Sequence, residues 1–544
     1  MISFLGIIQR WFDRTVLQLG RELRVSYLPP LMVYVAAGIS GLTGIVGTFF
    51  VKDYLGLSAE FLAALGFWAG IPWALKMPLG HLVDLIWRHK AGLVYVGATL
   101  IASSLLIMIG LIAHTDAMRT IMPVEAWFVL STLLAPVGYV VQDVVADAMT
   151  VEAVPRIDED GQPVEAERRR LMHTTMQTLG RVAIIGGSVS VALLNVALFN
   201  GVEAMSDDMK AEVYVQIYQL ALLIPVVSVL GVLLGGYLKR RDRKRLEIQG
   251  YAASEARDLI EGHIAPTRPN WWILGGSIIF AIFTLSTGLS SVPYNQEIIF
   301  FGSLAIILFL MSRLVSALDT EASRTLVGTA IIIFVYRAIP TPGAGSTWWM
   351  IDELGFDQQF LSVLSLIAST ITLFGMFMFR RFMAERSIAY IVVFLTIVST
   401  CLSLPIIGMF YGLHEWTAAH TGGLVDARFI ALVDTALESP LGQVAMIPML
   451  AWIANSAPEN LKATFFAVMA SFTNLALSAS QLGTKYLNQI FKVTREVKDP
   501  VTGNLSVPAD YSELGTLLMV VTAVGFALPL LAILLVRLSR LRSV

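Results

Sequence analysis

Two carboxylates, Asp143 and Asp147, lie four residues apart inside an apolar stretch of the sequence. Residues at positions i and i+4 share one face of a helix, so these two side chains are predicted to lie side by side. Two neighbouring carboxylates in a poorly solvated site do not both stay charged, because each raises the cost of ionising the other. The spacing therefore predicts a site that binds and releases a proton near neutral pH. The alternative is a structural ion pair with Arg181 in the next apolar stretch.

Five cations also lie inside apolar stretches, and three of them are candidates for solute binding. Arg181 is about ten residues from the start of its stretch, roughly 15 Å deep at about 1.5 Å per helical residue, in a bilayer core about 30 Å thick. A guanidinium at that depth costs at least about 2.5 kcal/mol unless it faces a partner or water. Because the planar fork of an arginine binds a carboxylate through two hydrogen bonds, we expect Lys76, Arg181 and Arg337 to bind the anionic part of a polar solute. For Arg337, an interhelical pair beside Pro340 is the alternative.

Secondary candidates repeat these patterns later in the chain. Asp434 and Glu438 have the same i, i+4 spacing as the first acid pair, and they are either further acceptors or partners in a structural pair. Lys485 lies near the outer end of its apolar stretch, where extension of the side chain to the membrane surface is the alternative.

Catalytic chemistry has little support in the sequence. There is no H-E-x-x-H motif and no phosphate-binding glycine loop, and the seven histidines are scattered. We therefore expect no catalytic residues, no metal and no cofactor. A membrane-embedded enzyme is kept only as a remote alternative.

The composition indicates a polytopic membrane protein built from helices. The chain is 56% hydrophobic and 14% charged, against roughly 25% charged in a soluble domain, and it is rich in apolar runs near the 20 residues that cross a bilayer. About fourteen transmembrane helices are predicted, at about 28–50, 60–83, 91–113, 124–147, 171–200, 213–237, 270–290, 297–318, 324–345, 358–380, 386–411, 427–452, 461–490 and 514–538.

Lysine and arginine are distributed unevenly between the two ends of these spans. Of the 38 such residues, 27 lie on one side and only 6 on the other. Cytoplasmic loops carry the excess of positive charge, so both termini are predicted to be cytoplasmic in a multi-pass protein of the cell inner (cytoplasmic) membrane. The basic run at 239–245 is interpreted as an orientation signal and not as a nucleic-acid site. The single cysteine, Cys401, excludes an intramolecular disulfide.

The spans divide as six, two and six around the longest polar link, an arrangement typical of transporters built from repeats. Five parts are predicted: an amphipathic cytoplasmic segment at 1–25, a six-helix half at 26–237, a basic cytoplasmic link at 238–269, an extra transmembrane hairpin at 270–318 and a second six-helix half at 319–544.

Glycine and proline mark two of the spans. Gly38, Gly41, Gly44 and Gly47 recur every three residues in the first span, where they either allow close helix packing or let a gate helix flex. Prolines remove backbone donors, so kinks are predicted at Pro72, Pro78, Pro340 and Pro342.

Gly80 and Asp84 form a G-x-x-x-D motif at the end of the second span. It resembles the loop between the second and third helices of the major facilitator superfamily, where an aspartate and nearby cations latch one conformational state. The resemblance implies a gating or latch role for both residues, although Leu85 stands where the family has a basic residue.

Longer stretches resemble the folate-biopterin transporter family within that superfamily. They are residues 73–84, 142–152, 336–342, 354–362 and 446–474, in the order of the family's helices. The resemblance implies a major-facilitator-type fold of two six-helix halves with an inserted helix pair.

It also implies a secondary active transporter, coupled to protons, that moves a pteridine, a folate-like compound or another polar organic solute. Muropeptide permeases share the pattern Gln-Asp-x-Val-x-Asp-Ala, so a permease for muropeptides or other small molecules is the alternative. The expected partners are an anionic or heterocyclic small molecule, protons and the lipid bilayer. We expect a monomer that binds no nucleic acid.

Overall fold

The computed structural model describes most of the chain. The described residues are 18–55, 57–74, 76–155, 164–261, 271–288, 292–315, 319–379, 382, 385–441, 444, 462–498, 505–539 and 541–543. Most of the predicted amphipathic segment and much of the stretch 446–474 lie outside this part.

Nine labelled helices form the first part of the fold. They are α1 (Leu28–Gly38), α2 (Gly44–Tyr54), α3 (Ala59–Ala74), α4 (Lys76–Leu85), α5 (Ala91–Ala113), α6 (Val124–Ala153), α7 (Ala166–Leu198), α8 (Asp207–Ala221) and α9 (Leu223–Ile248). Short helices also occur at Gln18–Arg21, Thr115–Ile121 and Ala253–Glu261.

The remaining elements follow the polar link. They are α10 (Trp271–Gly288), α11 (Asn295–Val315), α12 (Thr320–Arg337), α13 (Ala344–Asp352), α14 (Gln358–Met378), α15 (Ile388–Phe410), a short helix at Leu413–His420, α16 (Ala427–Glu438), α17 (Lys462–Ile490), the antiparallel strands β1 (Val497–Lys498) and β2 (Leu505–Val507), and α18 (Leu514–Leu538). We call the face at which α1 begins and α18 ends the terminal face, and the opposite face the far face.

Within the described residues, ten helical segments are long and apolar enough to cross a membrane. The other predicted spans correspond to α10, α12, α16 and α17. Of these, α10 is described only from Trp271 to Gly288, α12 carries charged residues at both ends, α16 is described only to Glu438, and α17 is rich in serine, threonine and asparagine.

The helices pack as two bundles with matching arrangements. In the first bundle, α1 packs on α7 and α9, and α5 packs on α9. In the second bundle, α12 packs on α17 and α18, and α15 packs on α18. The two bundles meet along two seams, one between α3 and α17 and the other between α7 and α14.

The first span is interrupted at its glycines. After α1 ends at Gly38, residues Ile39–Thr43 form a 3-10 turn before α2 begins. A side chain at Gly38 would collide with the backbone of Ile184 in α7, and Gly187 faces the same point from α7. Gly38 of the glycine repeat therefore allows α1 and α7 to pack closely, and the chain changes from α-helix to 3-10 helix at the next residue.

The inserted helix pair consists of α10 and α11, and the span that follows it is interrupted at its prolines. Helix α12 ends at Arg337 and α13 begins at Ala344, so the predicted kink at Pro340 and Pro342 is a full break. Backbone groups freed inside a membrane need internal partners, and one face of α17 provides them at positions i, i+4 and i+8. The hydrogen bonds are Ser480 Oγ to Ile339 O (2.6 Å), Thr341 N to Thr484 Oγ1 (2.9 Å) and Asn488 Nδ2 to Pro342 O (3.1 Å).

Candidate functional site

Lys76 joins the two aspartates of α6. Its ammonium group donates a hydrogen bond to Asp143 Oδ2 at 2.6 Å, and its Nζ lies 2.8 Å from Asp147 Oδ2. The lysine is the first residue of α4, and the two carboxylates face it from successive turns of α6. One ammonium group therefore contacts both carboxylates, and the acids are paired with Lys76 in place of Arg181.

Tyr34 is a fourth member of this cluster, which the sequence analysis missed. Its hydroxyl group donates to Asp147 Oδ1 at 2.7 Å, and its side chain is 6% exposed. The ring fits against Gly180 of α7, where an added Cβ would lie 2.9 Å from a ring carbon. A buried tyrosine hydroxyl needs a hydrogen-bond partner, so a tyrosine in the first apolar span was the available signal.

Asp147 differs from its neighbours in exposure. Its side chain is 43% exposed, whereas those of Lys76 and Asp143 are each 19% exposed. Its two oxygens are both held, Oδ1 by Tyr34 of α1 and Oδ2 by Lys76 of α4, so an anchored carboxylate remains partly exposed. Asp147 can therefore meet water or a solute, while Asp143 stays covered beside Lys76.

Arg181 follows Gly180 in α7 and is half-buried. Its charge acts on Asp143 and Tyr34, so it belongs to the same electrostatic environment. No described residue forms a hydrogen bond or ion pair with it. With Arg181 the site contains two cations and two carboxylates, and the guanidinium keeps its hydrogen-bonding capacity for an anion.

Arg337 lies at the last position of α12, immediately before the proline break. It is half-buried and its Nε is buried without a hydrogen-bond acceptor, although the residue takes part in other contacts. The described residues show no contact between Arg337 and the Lys76 cluster. Its predicted role in anion binding stays a prediction.

The second acid pair lies on α16. Asp434 is half-buried, and its Oδ1 is buried without a hydrogen-bond partner, while Glu438 is exposed. Tyr336 of α12 lies within electrostatic range of Glu438. Neither carboxylate forms an ion pair with any residue that the structure describes, so this pair lacks the lysine that the first pair has.

The other predicted residues lie elsewhere. Lys485 pairs with Glu297 of α11 at 3.0 Å and is therefore tied to the helix pair. Gly80 lies within α4 with open space around its Cα, and the side chain of Asp84 lies outside the described part. The latch role of Gly80 and Asp84 stays a prediction.

An ion triad that was not predicted from the sequence lies near the terminal face, with Lys239 as its more exposed member at 40% side-chain exposure. Glu152, close to the end of α6, accepts from Lys90 Nζ at 2.5 Å and from Lys239 Nζ at 2.6 Å. The side chain of Glu152 is 12% exposed and that of Lys90 7% exposed. This triad ties the start of α5 and the end of α9 to α6, within the first bundle.

Polar contacts join the two bundles at the far face. Lys52 of α2 lies 2.6 Å from Asp352 of α13, and Tyr511 also donates to Asp352 at 2.5 Å. Gln489 of α17 donates to Glu60 of α3 at 2.6 Å. The Lys52–Asp352 pair closes the far face in this conformation, with Tyr511 holding Asp352 from within the same bundle, and the Gln489–Glu60 bond lies in the seam between α3 and α17.

Comparison with known proteins places the chain in a family. The model of the BT1 family matches residues 37–541. The chain is similar to a folate-biopterin transporter of Synechocystis sp., at 22% identity over 480 residues, which cover 87% of this chain and 77% of the relative. It is also similar to putative folate transporter 2 of Plasmodium berghei, at 26% identity over 177 residues, which cover 32% of this chain and 37% of that one.

Solved structures of transporters share the fold. A POT family transporter in complex with 5-aminolevulinic acid has a TM-score of 0.57 at 11% identity, with 94% of this chain and 96% of that chain covered. A nucleoside transporter has a TM-score of 0.52 at 11% identity, with 94% and 99% covered. The predicted all-α, major-facilitator-type membrane fold is confirmed. By its family match, the chain belongs to the BT1 family, that of the folate-biopterin transporters, and is a multi-pass membrane transporter.

Proposed function

We propose that the protein is a proton-coupled transporter of an anionic pteridine or folate-like solute in the cell inner membrane, with both termini cytoplasmic. The observation that carries this proposal is the cluster on α6, where Lys76 bridges two carboxylates and the side chain of one of them, Asp147, is 43% exposed. Arg181 lies beside this cluster with no ion pair among the described residues.

The charges of the site support coupling. Lys76 and Arg181 balance Asp143 and Asp147 when no solute is bound. A carboxylate bound to Arg181 adds one negative charge, and an unbalanced charge in a poorly solvated site is costly. A proton on one aspartate restores the balance, so each anionic group carried brings one proton with it.

Asp147 is the proposed proton carrier. It is the more exposed carboxylate, so water reaches it, whereas Asp143 is held by the shorter contact to Lys76. Tyr34 donates a hydrogen bond to the ionised Asp147. When Asp147 binds a proton, Lys76 keeps Asp143 as its counter-ion and the cluster stays intact.

The solute is proposed from chemistry and from the names of the relatives. A glutamate tail offers carboxylates to the guanidinium groups of Arg181 and Arg337, and a pterin edge offers donors to carboxylates such as Asp434 and Glu438. Relatives named as folate-biopterin and folate transporters support this class of solute.

Proteoliposome uptake tests the coupling. Asp147→Asn is expected to flatten the pH dependence of uptake and to leave exchange of solute for solute largely intact, because exchange needs no net proton movement. Asp207→Asn is the matched control, since Asp207 is 89% exposed and lies at the far end of the first bundle. An unchanged pH profile in Asp147→Asn would rule out this carrier.

Thermal shift of the purified protein tests the solute. A ligand at 100 times its dissociation constant stabilises a protein by about 2.7 kcal/mol, so a panel of pterins, folates and muropeptides separates the classes. Stabilisation by folates or pterins supports the proposal. Stabilisation by muropeptides alone overturns it in favour of the muropeptide permease.

A further inference from the structure

The helix pair α10–α11 contacts both bundles near the far face. Gln296 of α11 donates from Nε2 to the carbonyl oxygen of Ala64 in α3 at 3.1 Å. The next residue, Glu297, accepts from Lys485 Nζ at 3.0 Å and from the hydroxyl of Tyr486 at 2.5 Å, both in α17. One turn of α11 is therefore bonded to the two helices that form one seam between the bundles.

The bond of Gln296 and the Glu297–Lys485 pair are shielded from water, whereas Tyr486 is exposed. The side chains of Lys485 and Glu297 are 16% and 14% exposed, and Gln296 is 6% exposed. A poorly solvated ion pair is hard to separate, because either partner alone would be an uncompensated charge. The end of α10 adds a packing contact, since Gly288 lies against the ring of Trp68 in α3.

The seam beneath the helix pair is closely packed. A Cβ at Gly66 of α3 would lie 2.8 Å from Gln481 Oε1 of α17, and one at Gly70 would lie 3.1 Å from Ser478 Oγ. Deeper in the same seam, Asn474 Nδ2 donates to the carbonyl oxygen of Trp73 at 3.2 Å. This continuous contact differs from the Lys52–Asp352 pair, which joins only the ends of α2 and α13.

We propose that α10–α11 is a staple that holds α3 and α17 together, so that this seam is the hinge of the transport cycle. When the bundles rock apart at the far face, Lys52 separates from Asp352 while Gln296 and Glu297 keep their partners. The helix pair thus sets which side of the far face opens. This assignment needs a transport cycle and does not depend on the identity of the solute.

Cross-linking distinguishes the hinge from the gate. In a Cys401→Ser background, which removes the only cysteine, three double variants are made: Glu297→Cys with Lys485→Cys, Gln296→Cys with Ala64→Cys, and Lys52→Cys with Asp352→Cys. Each is joined by a short cleavable bifunctional thiol reagent. The first and third replace matched acid–lysine pairs, so the chemistry of the two cross-links is alike.

Transport is compared before cross-linking, after cross-linking and after cleavage in the same sample, so defects of the substitutions themselves cancel. The two staple pairs are expected to keep at least half of their transport when cross-linked, and the Lys52–Asp352 pair to lose more than tenfold and to recover on cleavage. Loss and recovery at either staple pair would overturn the proposal, because the helix pair would then move relative to a bundle.

Charge exchange provides a second test. Glu297→Gln and Lys485→Met are each expected to slow transport several-fold without changing solute affinity, and Glu297→Lys combined with Lys485→Glu is expected to restore most of the rate. Transport at the wild-type rate in both single variants would overturn the staple. The solute used is whichever member of the panel the protein carries, so failure of the folate proposal leaves this test intact.

Discussion

The acid pairs of the two bundles have the same spacing but different surroundings. Asp143 and Asp147 on α6 share the ammonium of Lys76 and the hydroxyl of Tyr34. Asp434 and Glu438 on α16 have no ion pair within the described residues, and a buried oxygen of Asp434 has no hydrogen-bond donor. The first pair is balanced by its own bundle, while the second lacks a counter-ion of that kind.

This difference suggests that the first acid pair binds a proton and the second binds donor groups of the solute. A balanced pair can take up one proton and stay folded, because its lysine keeps one carboxylate. A carboxylate pair that has no cation beside it can accept hydrogen bonds from the donor groups of a solute.

Removing Lys76 is expected to have the largest effect. Lys76→Met leaves two poorly solvated carboxylates without a cation, and loss of one partner of a buried ion pair costs about 3–5 kcal/mol. We expect a lower melting temperature and no measurable uptake. Lys76→Met combined with Asp143→Asn should recover most of the stability in a melting experiment. Failure of the double variant to recover would show that the pair is not the source of the loss.

Replacing the guanidinium groups is expected to weaken solute binding next. Arg181→Lys and Arg337→Lys keep the charge but lose the fork, and a hydrogen bond to a charged group contributes about 1.5–3 kcal/mol. A loss of this free energy corresponds to a fall of roughly 10- to 100-fold in affinity for a carboxylated solute. Affinity for an uncharged pterin should be much less affected. Equal losses for both solutes, measured by binding titration, would leave only a structural role for these arginines.

The helix breaks of the two bundles, after Gly38 in the first and after Arg337 in the second, are expected to differ less in their effect on stability. Asn488→Ala leaves the carbonyl oxygen of Pro342 without its donor, and an unsatisfied buried group costs about 1–3 kcal/mol. Ser188→Ala removes a 3.2 Å bond to Gly38 O, at a break that has its own 3-10 hydrogen bonds. Melting temperatures should therefore fall more for Asn488→Ala. The reverse order would contradict the view that α17 supports the proline break.

The smallest expected effect concerns closure of the far face at alkaline pH. Burial, with the hydrogen bond to Asp352, raises the pKa of Tyr511 well above its usual value of 10.0. Because the pKa of Tyr511 is higher in the folded protein, its hydrogen bond to Asp352 contributes fully to stability at pH values below the usual tyrosine pKa. This contribution is lost as the pH rises through the higher pKa of the folded state. In a Cys401→Ser background that keeps the Lys52–Asp352 pair, Tyr511→Phe should expose Val51→Cys, a 6% exposed position beside Lys52, slightly more to a membrane-impermeant thiol reagent and should lack the alkaline transition. The same alkaline transition in both proteins would exclude Tyr511 as its source.

Much of the fold followed from length and composition, because a run of about 20 apolar residues has few structures open to it in a bilayer. The prediction was less accurate at α12. Helix α12 ends at Arg337 because two prolines follow, whereas the apolar run continues to residue 345 and hides that break. The basic run at 239–245 was expected in a link, but it continues α9 to Ile248, with Arg243 and Glu247 one turn apart at 3.8 Å.

The candidate site was predictable only along single helices. The spacing of Asp143 and Asp147 predicts that they share one face of α6. It does not predict which neighbouring helix packs against that face. Lys76 was therefore expected to bind the solute, whereas here it holds the two acids. The partner of Lys485 could not be predicted for the same reason, since Glu297 lies 188 residues away on the helix pair.

The exposure of Asp147 has an electrical consequence. This carboxylate lies six residues before the end of α6, about 9 Å from that end at about 1.5 Å per residue, in a core about 30 Å thick. Where water fills the space between Asp147 and the terminal face, little of the membrane voltage falls across it. Moving one charge through the full field is worth about 2.3 kcal/mol per 100 mV. Proton exchange with the terminal side should therefore be nearly independent of voltage, and the voltage dependence of the cycle should lie in the steps that expose Asp147 to the far side.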